Sequence, residues 1–418
     1  MNEIERCTAA LTAALLLLAF VACNNDNNDD TSGDPLQTVV TDASATEAVS
    51  AIKAASSSIH ITTGMLTADE VAAIADALRA NTSALVALDL SKSGVTEFRD
   101  DNQFQDCAGL VAVVLPESLV YLRARLFLNC TSLVSVAIPA KATIDGNYVF
   151  VNCPKLTDIT VAAGNEQLSA SGGMLFLTSS YMDSEGTTKT EVLLAAYPSA
   201  KGAITLPSNI TGLAWRPFVY NNLLTEVTVP ENVMALNRWA FYDCPELTAL
   251  HLPASLVSVG SSKGFAIGFF KCPKLATITV AAENKYFSAS NGRLYYYPDT
   301  LDEPDYCGIA AYPTASGVIT IDGVDYAYLG GTEITSVTLS ASVTTISSSA
   351  FEYCEKLTSI TIQGDIEAVG YDAFRGCTAL RSITLPASVQ RLNPGSFAQC
   401  TSLATVRIEA TTPPALNL

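Results

Sequence analysis

Phenylalanine and cysteine return along this chain at a fixed interval. Cys107, Cys130 and Cys153 stand 23 residues apart, and so do Cys354, Cys377 and Cys400. A strict period of this length marks one short structural unit stacked many times, because such a unit cannot bury its apolar face alone. Three residues before each ladder cysteine stands a phenylalanine: Phe104, Phe127, Phe150, Phe241, Phe269, Phe351, Phe374 and Phe397. The eight cysteines are therefore Cys107, Cys130, Cys153, Cys244, Cys272, Cys354, Cys377 and Cys400. After each comes an apolar frame, as in Leu133, Val136 and Ile138, or Leu380, Ile383 and Leu385. The end of the frame alternates as a strand with one buried face does. Proline follows it at Pro116, Pro139, Pro253 and Pro386, where a residue that cannot donate to a ladder turns the chain. The step from Cys153 to Cys244 is 91 residues, one short of four periods.

Two stretches interrupt the period and match each other. One runs Val161-Ala162-Ala163-Gly164-Asn165, then Ser169-Ala170-Ser171-Gly172-Gly173, then Ala195-Ala196-Tyr197-Pro198. The other runs Val280-Ala281-Ala282-Glu283-Asn284, Ser288-Ala289-Ser290-Asn291-Gly292 and Ala310-Ala311-Tyr312-Pro313. Both read as enlarged repeats, over about 162–205 and 281–322, each with a projecting hairpin. Asn291-Gly292 between apolar runs is a two-residue hairpin turn. Residues 37–84 read as a helical cap, with helical spacing over Ala45–Ala55 and Thr67–Ala80 and with Thr67 as N-cap. An open solenoid end needs such a cover. Leu85, Leu88 and Leu90 then give the first strand, so the solenoid spans 85–418.

The stretch LTSITIQGDIEAVGYDAFRGCTALRSITLPASV, Leu357 to Val389, resembles the BspA-like, or TpLRR-type, leucine-rich repeat. The resemblance covers about Leu85 to Pro414. It implies a leucine-rich-repeat solenoid: a β-rich right-handed coil with an irregular convex side and a small helical N-terminal cap. It also implies a surface protein of the kind that includes adhesins and antigens binding host matrix or other proteins.

The N-terminus reads as an address. Ala9 to Ala22 is apolar except for Thr12, too short to span a bilayer but suited to a signal peptide over 1–22. Its end, Val21-Ala22-Cys23, resembles a lipobox with Phe20 where leucine is usual. Cys23 is then the lipid attachment site, and 23–36, with its run Asn24 to Asp30, a flexible tether. An acidic run after an acylated cysteine resembles the signal that sends lipoproteins to the outer face of the outer membrane. The membrane is expected to be touched only through this anchor.

Charge and motifs exclude several functions. The formal charge is −18, from 23 Lys plus Arg against 41 Asp plus Glu, which repels nucleic acid. Only His60 and His251 are present, and no metalloprotease, nucleophile-elbow, phosphate-loop or dinucleotide motif occurs. His251 reads as a solvated strand residue. The cysteines never form a CxxC pair, so no zinc site is expected. The acidic loop Asp299, Asp302, Glu303 and Asp305 lacks an EF-hand frame. The expectation is a chain without cofactor, metal or catalysis. The ladder cysteines read as small buried hydrophobes, whose parallel side chains disfavour disulfides.

What remains is binding. In each frame the residues flanking the central apolar one face outward on the concave sheet, giving Thr279, Thr338, Thr361 and Thr384 among others. Aromatic anchors concentrate instead in or beside the second enlarged repeat: Tyr286, Tyr295, Tyr296, Tyr297 and Tyr306. A protein ligand is expected to dock chiefly there, with the sheet secondary. An envelope scaffold, or a glycan held on the Ser/Thr sheet, are the alternatives.

Overall fold

The computed structural model describes residues 38–416 except 147, 183–185, 215, 238, 261–268, 270, 291, 297–307, 312, 314, 322–328, 330–331 and 413. Two compact units divide after Ser199, and each is a stack of leucine-rich-repeat coils.

In the first unit six parallel strands form the main sheet: Thr38–Ala43, Ile59–Thr63, Val86–Asp89, Leu110–Val114, Ser135–Ile138 and Asp158–Val161. Helices Ala45–Ala54 and Ala68–Ala80 cross between the first three of these strands. Each opens on a capping box, Ser44 with Glu47 and Thr67 with Glu70, which satisfies backbone donors that the helix leaves orphaned. Their inner faces bury Ile52 and, in the second helix, Val71, Ile74 and Leu78.

The expected cap is thus not helical alone. Two strands precede the one read from Leu85, and they extend the same sheet. The inward residues of the third strand are Val86, Leu88 and Leu90, whereas Leu85 is 39% exposed. A strand alternates its faces, so residue 85 has the wrong parity for the core.

In the second unit the parallel main-sheet strands are Gly202–Thr205, Leu224–Thr228, Ala249–Leu252 and Thr277–Val280, then Ser316–Ile321, Glu333–Leu339 and Ser359–Ile362, then Ser382–Leu385 and Thr405–Ile408. A narrower parallel sheet backs the later coils: Thr345–Ile346, Ala368–Val369, Arg391–Leu392 and Ala415–Leu416. These strands hold or adjoin the apolar positions that follow the main-sheet strand in each repeat, such as Val343 and Ile346 or Val389 and Leu392.

Between the two sheets runs a column of phenylalanines. Phe104, Phe127 and Phe150 stack at 5.6 and 5.5 Å between centroids, nearly parallel. Phe351, Phe374 and Phe397 do the same at 5.2 and 5.4 Å. Beside the column the eight ladder cysteines are all free thiols. Each Sγ–H reaches back one coil to a backbone carbonyl: Cys130 to Phe104 at 3.0 Å, Cys153 to Phe127 at 3.0 Å, Cys377 to Phe351 at 3.1 Å and Cys400 to Phe374 at 2.9 Å. Burial pushes the Cys107 and Cys153 thiols up to about 12, which keeps them protonated and inert. Cys400 in the last coil is half-buried, and its interaction with the Cys377 side chain holds it below the usual thiol range.

The enlarged repeats carry three-stranded antiparallel meanders rather than single hairpins. The first is Leu168–Ser171, Met174–Met182 and Thr188–Ala196. The second is Phe287–Ser290, Arg293–Tyr296 and Gly308–Ala311. Ser290 pairs with Arg293, the register that a two-residue connection requires. Ser171 pairs with Met174, and Gly172 and Gly173 both have positive φ, 58° and 75°. That is the turn geometry matching the twist of paired strands, and it needs glycine or asparagine.

Candidate functional site

The sheet residues expected to face outward align in register across the strands. Thr338 pairs with Thr361 and Ser336 with Ser359. Thr384 pairs with Arg407 and Ser382 with Thr405. Thr361 and Thr384 are exposed and Thr338 is half-buried. Ser359 donates its hydroxyl to Ser336 at 2.9 Å, which ties these two neighbours of the row together.

One place on this sheet differs. His251 pairs with Thr228 on one side and Thr279 on the other. Its Nδ1 lies 2.7 Å from the Thr279 hydroxyl and its Nε2 lies 3.2 Å from Glu226 Oε1. The expected solvated histidine is therefore partnered on both nitrogens. The arrangement fits an imidazole that donates from Nε2 to the carboxylate and accepts the Thr279 proton at Nδ1. Carboxylate, imidazole and hydroxyl stand in the order of a nucleophilic triad. The backbone around them, however, is committed to the parallel ladder, and an acyl-transfer site needs donors aimed at a developing oxyanion. The line reads as a polar brace across three strands.

The tyrosines fall partly within view. Tyr286 and Tyr295 are half-buried, and Tyr295 sits opposite Ser288 and Ile309 in the second meander. Tyr296 ends the middle strand. Tyr297, Tyr306, Cys23 and the acidic loop Asp299 to Asp305 lie outside the described residues. The first meander is described except for 183–185, and Ser179–Met182 and Thr188–Thr190 in its outer strands are exposed. Tyr181 and Met182 show 49% and 74% of their surface there.

Each meander is fixed at its foot by one asparagine, which the sequence reading passed over. Asn165 donates from Nδ2 to the carbonyls of Pro139 and Ala142, at 3.1 and 2.8 Å, and accepts from the N–H groups of Gln167 and Leu168. Asn284 repeats this with Pro253 and Leu256, both at 2.9 Å, and with Tyr286 and Phe287. The matching strings ending in Asn165 and Asn284 were the available signal. Asn221 likewise holds a cysteine place, 23 residues before Cys244. It donates to Ala200 O at 2.9 Å and accepts from Leu223 and Leu224.

Among the described residues no group of three or more His, Cys, Asp or Glu is placed to hold a metal. Among them, too, no helix is long and apolar enough to cross a membrane.

Comparison with known proteins follows the same geometry. The profile described as "BspA type Leucine rich repeat region" matches in six copies, over residues 67–180, 199–291 and 321–413. A leucine-rich cell surface protein of Faecalibacterium prausnitzii is 22% identical, with TM-score 0.45, over 72% of this chain and 80% of its own. A leucine-rich-repeat protein of Bacteroides ovatus is 19% identical, with TM-score 0.32, over 75% and 76%. The pneumococcal vaccine antigen PcpA is 16% identical, with TM-score 0.32, over 90% and 87%. No protein of the curated set matches the chain.

Proposed function

The chain belongs to the BspA-type leucine-rich-repeat family, and from that premise we propose that it is a non-catalytic module that captures a protein partner at the cell surface. The observation that carries the reading is the pair of meanders. Each is clamped to an ordinary coil by a single asparagine, and the first ends in exposed Tyr181 and Met182. Tyrosine supplies large, rigid contact area and methionine adapts to a partner's shape. The second meander adds Tyr286, Tyr295, Tyr296, Tyr297 and Tyr306 in or beside its strands. It is the principal contact, and the hydroxyl rows with Thr279, Thr338, Thr361 and Thr384 are secondary. Adhesion to host matrix or capture of a host surface protein is the role this surface serves best.

Deleting Tyr295 to Tyr306 tests the contact. The deletion is expected to abolish binding to whole host cells while the thermal unfolding of the coils stays largely intact. Unchanged binding by the deletion, with loss in Thr361→Arg or Thr384→Arg, would move the contact to the sheet. Binding to bacterial envelope extracts and not to host cells would make the chain an envelope scaffold instead.

Display at the surface rests, in this proposal, on Cys23. The apolar run before it and the polar tether after it support a lipid anchor in the outer membrane. Wild-type protein is expected in the membrane fraction and Cys23→Ala in the soluble one. Equal partitioning of the two defeats the anchor.

A further inference from the structure

The first unit is covered at its leading edge, and the second is open at its trailing one. At the start, helix Ala45–Ala54 lays Ala48 and Ile52, both fully buried, against the first strands. In the last coil the residues that should fill the core stay partly uncovered. Phe374, Cys377, Leu380 and Ile383 are at most 2% exposed. Their equivalents one coil on differ: Phe397, Cys400 and Leu403 are half-buried, and Val406 is 39% exposed. Among the described residues Thr405–Ile408 pairs on one side only, with Ser382–Leu385. The chain that follows crosses to the narrower sheet, where Ala415–Leu416 pairs with Arg391–Leu392. A terminal repeat ordinarily turns a polar face outward, and an unpaired edge strand is a template for another chain.

This edge has a definite pattern. The Thr405 and Glu409 N–H groups bond back to the Arg381 and Leu385 carbonyls, at 3.4 and 3.0 Å. Main-chain groups alternate sides along a strand, so those of Val406 and Ile408 face the open edge. Side chains alternate as well. Val406 and Ile408 pair with buried Ile383 and Leu385 and share their core face. Arg407 and Glu409 therefore lie together on the outer face, 4.0 Å apart and well exposed. Two identical ends meet antiparallel about a two-fold axis, and three registers set the edge groups opposite one another. Centred on Val406, the pairing runs into the irregular start of the strand, where the Ala404 and Thr405 N–H groups share the Arg381 carbonyl. Centred on Arg407, it sets two guanidinium groups directly opposed, which is destabilising. Centred on Ile408, it sets Arg407 of each copy against Glu409 of the partner subunit, in the closely spaced kind of cross-strand pair.

We propose that the trailing end of the second unit is an interface between two copies of this chain, joined through Thr405–Ile408 about a two-fold axis at Ile408. The edge groups of Val406 and Ile408 find partners in the second copy. The half-covered Phe397, Cys400 and Leu403 of both copies meet across the axis, where a further coil would otherwise lie. Apolar burial drives the association, and charge selects the occupant. The strand carries its own complement, a cation and an anion two residues apart, so a second copy satisfies both at once. The chain as a whole has a charge of −18, which opposes self-association by any general attraction. Only a locally written contact overcomes that repulsion. The interface does not involve the meanders, and pairing offers each meander twice to a binding partner.

The test is sedimentation equilibrium of the full chain, with Cys23→Ala in every sample so that no lipid anchor gathers copies. A particle of twice the chain mass is expected to form as concentration rises. Arg407→Glu and Glu409→Arg, both at exposed positions, should each raise the dissociation constant about tenfold or more, since each change sets like charges against one another twice. Their circular dichroism spectra should match that of the parent chain. Mixed in equal amounts, the two variants should associate as tightly as the parent, because each copy then faces the opposite charges of the other. Charge balance within a single copy cannot produce that rescue. A monomer at every concentration, a dimer that neither reversal weakens, or a mixture that stays apart overturns the proposal. So does association that continues beyond two copies, since two such ends close on one another.

Discussion

Cys377→Asp is expected to unfold the C-terminal coils of the second unit. Cys377 is fully buried, between Cys354 and Cys400 in the ladder, and its thiol donates to Phe351 O at 3.1 Å. Aspartate removes the donor and sets a carboxylate against that carbonyl oxygen, with no cation beside it. An unpaired buried charge costs several kcal/mol, a large share of the about 5–15 kcal/mol that holds a domain together. Cys377→Ala, which loses only a weak hydrogen bond and a small volume, should cost about 1–2 kcal/mol. Cys377→Asn should fall between them, since asparagine already holds this place at Asn221 and donates backward in the same way. Urea unfolding followed by circular dichroism measures all three. Similar midpoints for the aspartate and alanine variants would show that the site is hydrated and the ladder is not a buried one.

Phe374→Ala is the second large effect. Phe374 is fully buried and stacks on Phe351 at 5.2 Å and on Phe397 at 5.4 Å. Truncating such a residue costs about 3–5 kcal/mol through lost transfer energy and the cavity left behind. Collapse of the coils into the gap is resisted by the register of Ala368–Val369 with Arg391–Leu392 on the narrower sheet and of Ser382–Leu385 with Thr405–Ile408 on the main one. Phe397→Ala should cost clearly less, for Phe397 is half-buried and has a neighbour on one side in the described column. Equal losses at the two positions would argue that the column is not the core of the unit.

The period was legible because its chemistry tolerates few substitutes. A phenylalanine and a thiol three residues apart must fit the same slot in coil after coil, so they recur in the sequence. Where the slot is filled otherwise, the signal vanished. Asn221 and Thr332 occupy cysteine places, with the Thr332 hydroxyl 3.7 Å from Cys354 Sγ, yet neither stands out among polar residues of a linear sequence. The two leading strands were hidden for another reason. Thr38–Ala43 and Ile59–Thr63 lack the phenylalanine–cysteine signature, since helices replace the irregular side there. The His251 brace was unreadable because Glu226 and Thr279 lie 25 and 28 residues away and meet it only through the register of stacked strands.

The asparagine clamps give the two meanders a property that the coils themselves lack. Asn165 and Asn284 grip only main-chain atoms, the carbonyls behind and the amides ahead. Main-chain atoms are the same whatever side chains surround them. That hold is thus indifferent to side chains, and beyond the inner residues that pack into the core, such as Leu168 and Leu175, the exposed ends of the outer strands are released from the constraints that fix every other coil. A gene built this way can duplicate the cassette, move it to another turn or rewrite its tip in single recombination events, with the scaffold beneath unaltered.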